Sequence, residues 1–472
     1  MRKFYDIHMH AFDLSHANLL AFICRILDKE KVQKIISKPK TEMLKLWFML
    51  PLKILSKKIK SIFKVKNNRF EKFSEYPLKI LNCLSLYENP LEYQFLMLEY
   101  FLKNKQPKFN DLFGYKYEKI VLCPLMMDFG NEYLGTLGED IFYNIPPQKP
   151  IIKQVEDLLY AIRAYQEKTL VPNETGNKKV KCVDRTLKDG QWIYKDRSEN
   201  QLSGVEIKSF KEKLFEIYPF IGLNPENFDE KDDSKDLHDK ILNKYFSNYK
   251  KNKNDQFIDN EVVIKEYIEK GKLIHIEDIA FFKRFQFAGI KVYPPLGFNP
   301  SLEANNNKYF YKYAEENEIP IITHCSYGGF KTSIYWEKYT NPEAWEEVLI
   351  LHPKLKVCFA HFGRQKGEDS WKRTIIKLIN EYENVYTDVS CNDGSLEYYK
   401  NLMTLISENE KLKCRILFGS DFSINLLGDY SYNSYLVKFI NHFDNDELSH
   451  LLSTENPERF LFGEINKQEM EL

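Results

Sequence analysis

His8 and His10 stand two residues apart in MRKFYDIHMH, and on a strand alternate side chains share a face, so both imidazoles point the same way. Paired imidazoles suggest a metal, although an HxH pair alone is a weak signal. His324 ends the run IPIITHCS, His361 ends LKVCFAHFG and Asp421 ends RILFGSDF, each after an apolar stretch that must be buried. A histidine there is ordinarily a cap or loop residue, and an aspartate ordinarily caps the next helix. Four independent coincidences of this kind favour a shared ion instead. Neutral imidazoles with one carboxylate suit zinc or another borderline divalent ion, with a coordination position left open for water. The remaining histidines, His16, His238, His275, His352, His442 and His450, fall in helical or loop surroundings and are read as structural.

Lys291, in AGIKVYPPLGFNP, shares a strand face with Tyr293, so a cation faces the same region. A buried lysine is costly unless paired. Three readings compete: a carboxylated lysine bridging two metals, a lysine that binds a substrate carboxylate, and a structural ion pair beneath the site. The second is favoured. Asp128, at the end of LCPLMMDFG, together with Tyr293 and Arg364, is a candidate for lining the substrate pocket, and each could equally be structural.

Eight β-type runs would position these residues: Lys3 to Ile7, Lys119 to Met126, Ile217 to Leu223, Gly289 to Tyr293, Pro320 to Thr323, Lys356 to Ala360, Asn384 to Asp388 and Arg415 to Phe418. Helix-patterned stretches separate them from the fourth onward: Asn307 to Glu318, Pro342 to Leu351, Trp371 to Glu383 and Glu397 to Asn409. Such alternation predicts parallel βα units, and eight of them close a (β/α)8 TIM-like barrel whose C-terminal mouth collects the candidates. The whole chain, residues 1–472, reads as one such barrel. About a hundred residues separate each of the first three strands, too many for simple crossovers. Large insertions therefore follow the first and second strands. Residues 17–115 read as a mainly helical, basic insertion, with fourteen Lys or Arg against three acids between Ala17 and Phe70. Residues 131–211 form the second, with a hairpin at Val180 to Asp196 around an Asp189-Gly190 turn. Asp229 to Asn260 reads as an exposed loop or solvated helix.

Composition narrows the class further. The 472 residues include 68 basic and 68 acidic side chains, so a general electrostatic attraction to nucleic acid is not expected. Eight scattered cysteines without a CxxC pair suit reduced thiols in a cytoplasm. No apolar leader follows the first residues, and the most apolar stretch, Leu46 to Leu55, is far short of the roughly 20 residues that span a bilayer. The basic block at 17–70 could lie on an anionic membrane as an amphipathic helix, but a helical lid with a solvated lysine face is the simpler reading. Oligomeric state is left open, and a homo-oligomer is compatible with the sequence.

In DIHMH, PIITHCS, HPKLKVCFAHFG, NVYTDVS, RILFGSDFSIN and ENPERFLFG the sequence resembles the amidohydrolase superfamily, and within it the branch typified by aminocarboxymuconate semialdehyde decarboxylase. The resemblance covers residues 4 to 12, 118 to 129 and about 215 to 463; the insertions lack it. It implies that His8, His10, His324 and Asp421 are ligands of one divalent metal, zinc being the first expectation. It further implies that His361 contacts the water or substrate beside that metal. Lys291 departs from the branch's usual neutral residue, and a carboxylated Lys291 would bring a second metal.

The expected activity is hydrolysis of a C–O or C–N bond in a small, carboxylate-bearing substrate by metal-activated water. Asp421 would act as proton acceptor and donor, and His361 would orient the nucleophile. The nearest rival is non-oxidative decarboxylation in the same pocket, since fold alone does not separate the two. A rival of another class is a catalytically silent barrel that docks on a membrane or partner through its basic insertion.

Overall fold

The computed structural model describes residues 2–16, 86–105, 117–129, 149–172, 180–188, 191–195, 213–228, 234–247, 249, 287–331, 333–427, 431–443 and 445–463. The basic block at 17–70 lies outside these residues. Nine strands make one parallel sheet: β1 (Lys3–His10), β2 (Lys119–Leu125), β6 (Phe215–Ile217), β7 (Phe220–Gly222), β8 (Gly289–Val292), β9 (Ile321–Thr323), β10 (Val357–Phe359), β11 (Val385–Asp388) and β12 (Ile416–Leu417). Their order follows the chain, with β6 and β7 both paired to β2. These two occupy the place of the third predicted strand. Pro219 sits between them without a backbone donor, so one run becomes two short ones. The seam between first and last strands is joined by main-chain bonds: Ile7 N to Phe418 O at 3.1 Å, His10 N to Phe422 O at 2.5 Å and Asp421 N to His8 O at 2.6 Å. The eight-stranded parallel barrel is thus nearly closed.

Helices α3 (Asn307–Glu316), α4 (Glu346–Leu351), α5 (Ser370–Glu381), α6 (Leu396–Ser407), α7 (Tyr432–His442) and α8 (Asn456–Phe462) surround its second half. Two hydrophobic clusters result. Tyr5, Ile7, Val121, Cys123, Phe220, Ile322, Cys358, Tyr386 and Leu417 fill the interior, closed below by Phe460 and Leu461 of α8. Phe4, Met9, Ile290, Ile321, Val357 and Val385 pack outward against helix residues such as Phe310, Trp345, Ile375 and Phe439.

In β1 the alternation changes parity part-way. Asp6 pairs with Leu122 but Met9 with Pro124, so two residues, Ile7 and His8, oppose one on β2. Tyr5 and Ile7 point inward before this bulge, and Met9 points outward after it. The extra residue therefore turns His8 and His10 into the barrel, as bulges beside functional sites often do.

Two further helices, α1 (Glu92–Lys105) and α2 (Ile151–Glu167), pack together beside an antiparallel sheet of β3 (Lys168–Pro172), β4 (Val180–Lys188) and β5 (Gln191–Lys195). Lys188 pairs with Gln191 across the hairpin. A buried knot fastens this unit to the barrel: Lys213 Nζ meets Glu99 Oε2 at 3.1 Å, and Glu99 Oε1 accepts from Leu214 N at 2.7 Å and Tyr165 OH at 3.0 Å. Residues 235–246 are helical and bury Leu237, Ile241, Leu242 and Phe246 in the outer core. The expected solvated character fails there because four apolar side chains suffice to dock a helix whose other face carries the charge. Among the described residues no helix is long and apolar enough to cross a membrane.

Candidate metal centre

The C-terminal ends of the barrel strands bring His8, His10 and Asp421 together. His10 Nε2 lies 3.1 Å and His8 Nε2 3.6 Å from Asp421 Oδ1, and the three donor atoms all fall within 4.8 Å of one another. The 3.1 Å approach lacks hydrogen-bond alignment, so Asp421 Oδ1 and His8 Nε2 are buried polar atoms with no hydrogen-bond partner among the described residues. Atoms bound about 2.1 Å from a tetrahedral zinc ion stand about 3.4 Å apart. The observed spacings match that edge, and the orphaned donors are the chemistry an ion would satisfy. These residues fit a divalent metal.

Protonation states suit it as well. Burial would raise the Asp421 carboxyl, but the close approach of the His10 imidazole, with His8 beyond, holds it well below the usual carboxylate range. Burial lowers His10 and outweighs the opposing pull of Asp421. An ionised carboxylate and a neutral imidazole are the forms that ligate. Asp421 and His361 both adopt positive φ, at 60°, immediately beyond their strands. Aspartate and histidine tolerate this region better than most side chains, and such outliers gather at functional sites. At the same seam Gly419 has no side chain where a Cβ would stand 2.6 Å from that of His8.

Asp388, at the end of β11, organises the surroundings. Its Oδ2 lies 2.8 Å from His8 Nδ1, which places the proton on Nδ1 and leaves the Nε2 lone pair facing Asp421. Its Oδ1 accepts from the backbone of His361 at 2.9 Å and of Ser390 at 3.0 Å, and from the Ser390 hydroxyl. Ser390 Oγ in turn accepts from His361 Nδ1 at 2.8 Å. The pairing of His8, His361 and Asp388 is therefore an orienting arrangement. Despite burial, His8, His361 and Ser390 keep Asp388 ionised.

His324 stands apart from the trio. Its Nδ1 is 3.2 Å from His361 Nε2 and its Nε2 3.1 Å from Ser326 Oγ. Burial holds both His324 and His361 well below the ordinary histidine range, so both are neutral. Lys291 projects from β8 towards Asp388 and Asp421. Its buried Nζ has no hydrogen-bond partner among the described residues, and burial pulls it down to about 8 against the attraction of both carboxylates. The structural ion pair considered for it does not form among the described residues. Tyr293 lays its ring 4.7 Å from that of His324 and accepts from Phe330 N at 3.2 Å. Asp128 accepts from Asn224 N at 2.9 Å and Asn227 Nδ2 at 3.0 Å, so its near oxygen anchors the loop after β7. Arg364 donates to the carbonyl of Cys391 and is half-buried. Sequence reasoning missed Asp388 and Ser390. The available signal was positional: Asp388 ends the apolar run NVYTD just as Asp421 follows its own.

Residues 268–463 match the sequence profile described as Amidohydrolase. Over that stretch, under half of its length, the chain is similar to the amidohydrolases. The matched segment holds Lys291, His324, His361, Asp388 and Asp421, whereas His8, His10 and Asp128 precede it. Solved structures similar to the chain include an uncharacterized TIM-barrel protein from Bordetella bronchiseptica, at 21% identity with TM-score 0.29, covering 42% of this chain and 60% of that one. A probable 2-pyrone-4,6-dicarboxylic acid hydrolase from Acinetobacter baumannii, crystallised with citric acid, matches at 14% identity and TM-score 0.30, over 43% and 78% of the two chains. A 5-carboxyvanillate decarboxylase from Novosphingobium aromaticivorans, complexed with manganese and 4-hydroxy-3-methoxy-5-nitrobenzoic acid, matches at 9% identity and TM-score 0.40, over 98% and 96%. The chain thus spans under two thirds of the Bordetella structure. No curated protein matches it.

Proposed function

We propose that the chain is a metal-dependent hydrolase cleaving a C–O or C–N bond of a small, carboxylate-bearing molecule. The reading is carried by the convergence of His8 Nε2, His10 Nε2 and Asp421 Oδ1 at the barrel mouth. These residues would hold one divalent ion, and zinc suits the donor set. When bound, such an ion supplies Lewis acidity and lowers the pKa of a water from about 15.7 towards about 7. Asp421 takes the proton of the attacking water and returns it to the leaving group. His361 keeps its Nδ1 proton on Ser390, so its Nε2 lone pair is the atom that accepts from the attacking water, exchanging its contact with His324. Tyr293 and Arg364 border the substrate, and the Lys291 ammonium receives its carboxylate.

Two measurements test this. Elemental analysis is expected to give one ion per chain; none would end the reading, and two would mark Lys291 as a carboxylated bridge. A substrate panel is expected to show ester, lactone or amide cleavage. Carbon dioxide release from aromatic or muconate-type acids would replace hydrolysis by decarboxylation in the same pocket.

Lys291→Met is expected to raise KM for an anionic substrate tenfold or more with a smaller effect on kcat, because it removes a desolvated charge pair worth at least about 1.4 kcal/mol. In the wild type, the ammonium is lost as pH rises through about 8, so KM should climb above that pH. A flat KM profile from pH 7 to 9.5, with an unchanged KM in the variant, would remove Lys291 from the substrate site.

A further inference from the structure

Leu86 to Lys105 lies in the first insertion, outside the segment the amidohydrolase profile covers, yet it reaches the metal centre. Tyr87 is the contact. Its ring stacks on Phe12 with centroids 4.7 Å apart and planes 20° from parallel, and its carbonyl accepts from Leu14 N at 3.1 Å. Its hydroxyl is 2.6 Å from Ser423 Oγ, which donates to it in a fully buried setting. Phe12 follows His10 by two residues, and Ser423 follows Asp421 by two. Gln94 of α1 adds a second buried tie, donating from Nε2 to the Phe12 carbonyl at 2.9 Å. One phenol therefore bridges the two strand ends that carry His10 and Asp421, whose side chains meet 3.1 Å apart.

The geometry points to Tyr87 as a positioning residue that holds His10 and Asp421 at ligand spacing, so that the insertion completes the metal centre. This rests on the proposed metal site. The ring stack and the hydroxyl bond act on different strand ends, so they can be separated. Tyr87→Phe keeps the stack and cuts the link to the Asp421 segment, and Ser423→Ala cuts the same link from the barrel side. Neither substitution adds bulk or a charge.

Cobalt(II) added to metal-free full-length protein provides the test, read by equilibrium uptake and by the visible ligand-field bands. Wild type should take up one equivalent. Tyr87→Phe and Ser423→Ala should each weaken uptake about tenfold, the lower end of what supporting contacts contribute to metal affinity, and shift the bands. The double variant should be no weaker than either single one, since both remove one bond. Far-ultraviolet circular dichroism and melting of the metal-free proteins separate this from misfolding, because a merely structural role would lower the melting midpoint without moving the bands. Uptake within twofold of wild type and identical bands in both variants would overturn the assignment of Tyr87 while leaving the metal centre intact. A wild type that takes up no cobalt would overturn the metal centre, and the role of Tyr87 with it.

Discussion

Asp421→Asn is expected to lower kcat about a thousandfold while the protein still takes up its ion. The two effects separate because the proposed scheme gives the carboxylate two tasks. As a donor it contributes one oxygen, and the amide keeps an oxygen in that place beside His8 and His10. As a proton acceptor it has no substitute, and positioned acid–base groups commonly contribute 10²–10⁴-fold. The pH dependence follows from the same environment. His10 and His8 hold Asp421 below the usual carboxylate range, so its ionisation does not set the acid limb of the wild-type profile. That limb belongs to imidazole protonation, which removes a ligand, and burial moves His10 below 6.5. Activity should therefore persist to below pH 6.5 before falling. Measured kcat beside metal content decides the matter: a near-normal rate with the ion retained would refute proton transfer through Asp421, and loss of the ion would reduce the residue to a ligand.

The residues proposed to carry this chemistry were legible because each ends an apolar run, and a barrel delivers all strand ends to one mouth. His8, His10 and Asp421 follow that logic, and seven of the eight predicted strands match one observed strand each. The third splits at Pro219, where the loss of one donor was visible in the sequence but its consequence depended on β2 accepting both halves. Alternation placed His8 and His10 on one face. Which face depended on the β1 bulge, set by pairing with residues more than a hundred positions away. Tyr87 illustrates the same limit: nothing around it in sequence announces a partner at Ser423, 336 residues away. Asp388 is a different case, since its position at the end of NVYTD was readable and only its hydrogen bonding to His8, His361 and Ser390 needed coordinates.

Replacing Asp388 should have the largest effect on folding and should also show what the network does for the metal. Asp388→Ala leaves the backbone donors of His361 and Ser390, the Ser390 hydroxyl and His8 Nδ1 without their acceptor in a buried site. Removing one member of a buried charged network commonly costs about 3–5 kcal/mol. A loss of that size is a large part of a typical stability of about 5–15 kcal/mol, and chemical denaturation should register it. Its pH dependence has a definite sign. The folded carboxyl lies below its unfolded value of 3.8, so its contribution is fully present above that value and fades as pH falls further. The deficit of the variant should accordingly shrink in acid. Asp388→Asn asks the finer question, because it preserves shape while offering an N–H where His8 Nδ1 now donates. The imidazole is then driven to the tautomer protonated on Nε2, the atom that faces Asp421, and a protonated nitrogen cannot ligate. A folded Asp388→Asn protein should thus lose metal affinity by at least about 10–100-fold. Unchanged uptake in that folded variant would show that Asp388 holds the barrel together without setting the His8 tautomer.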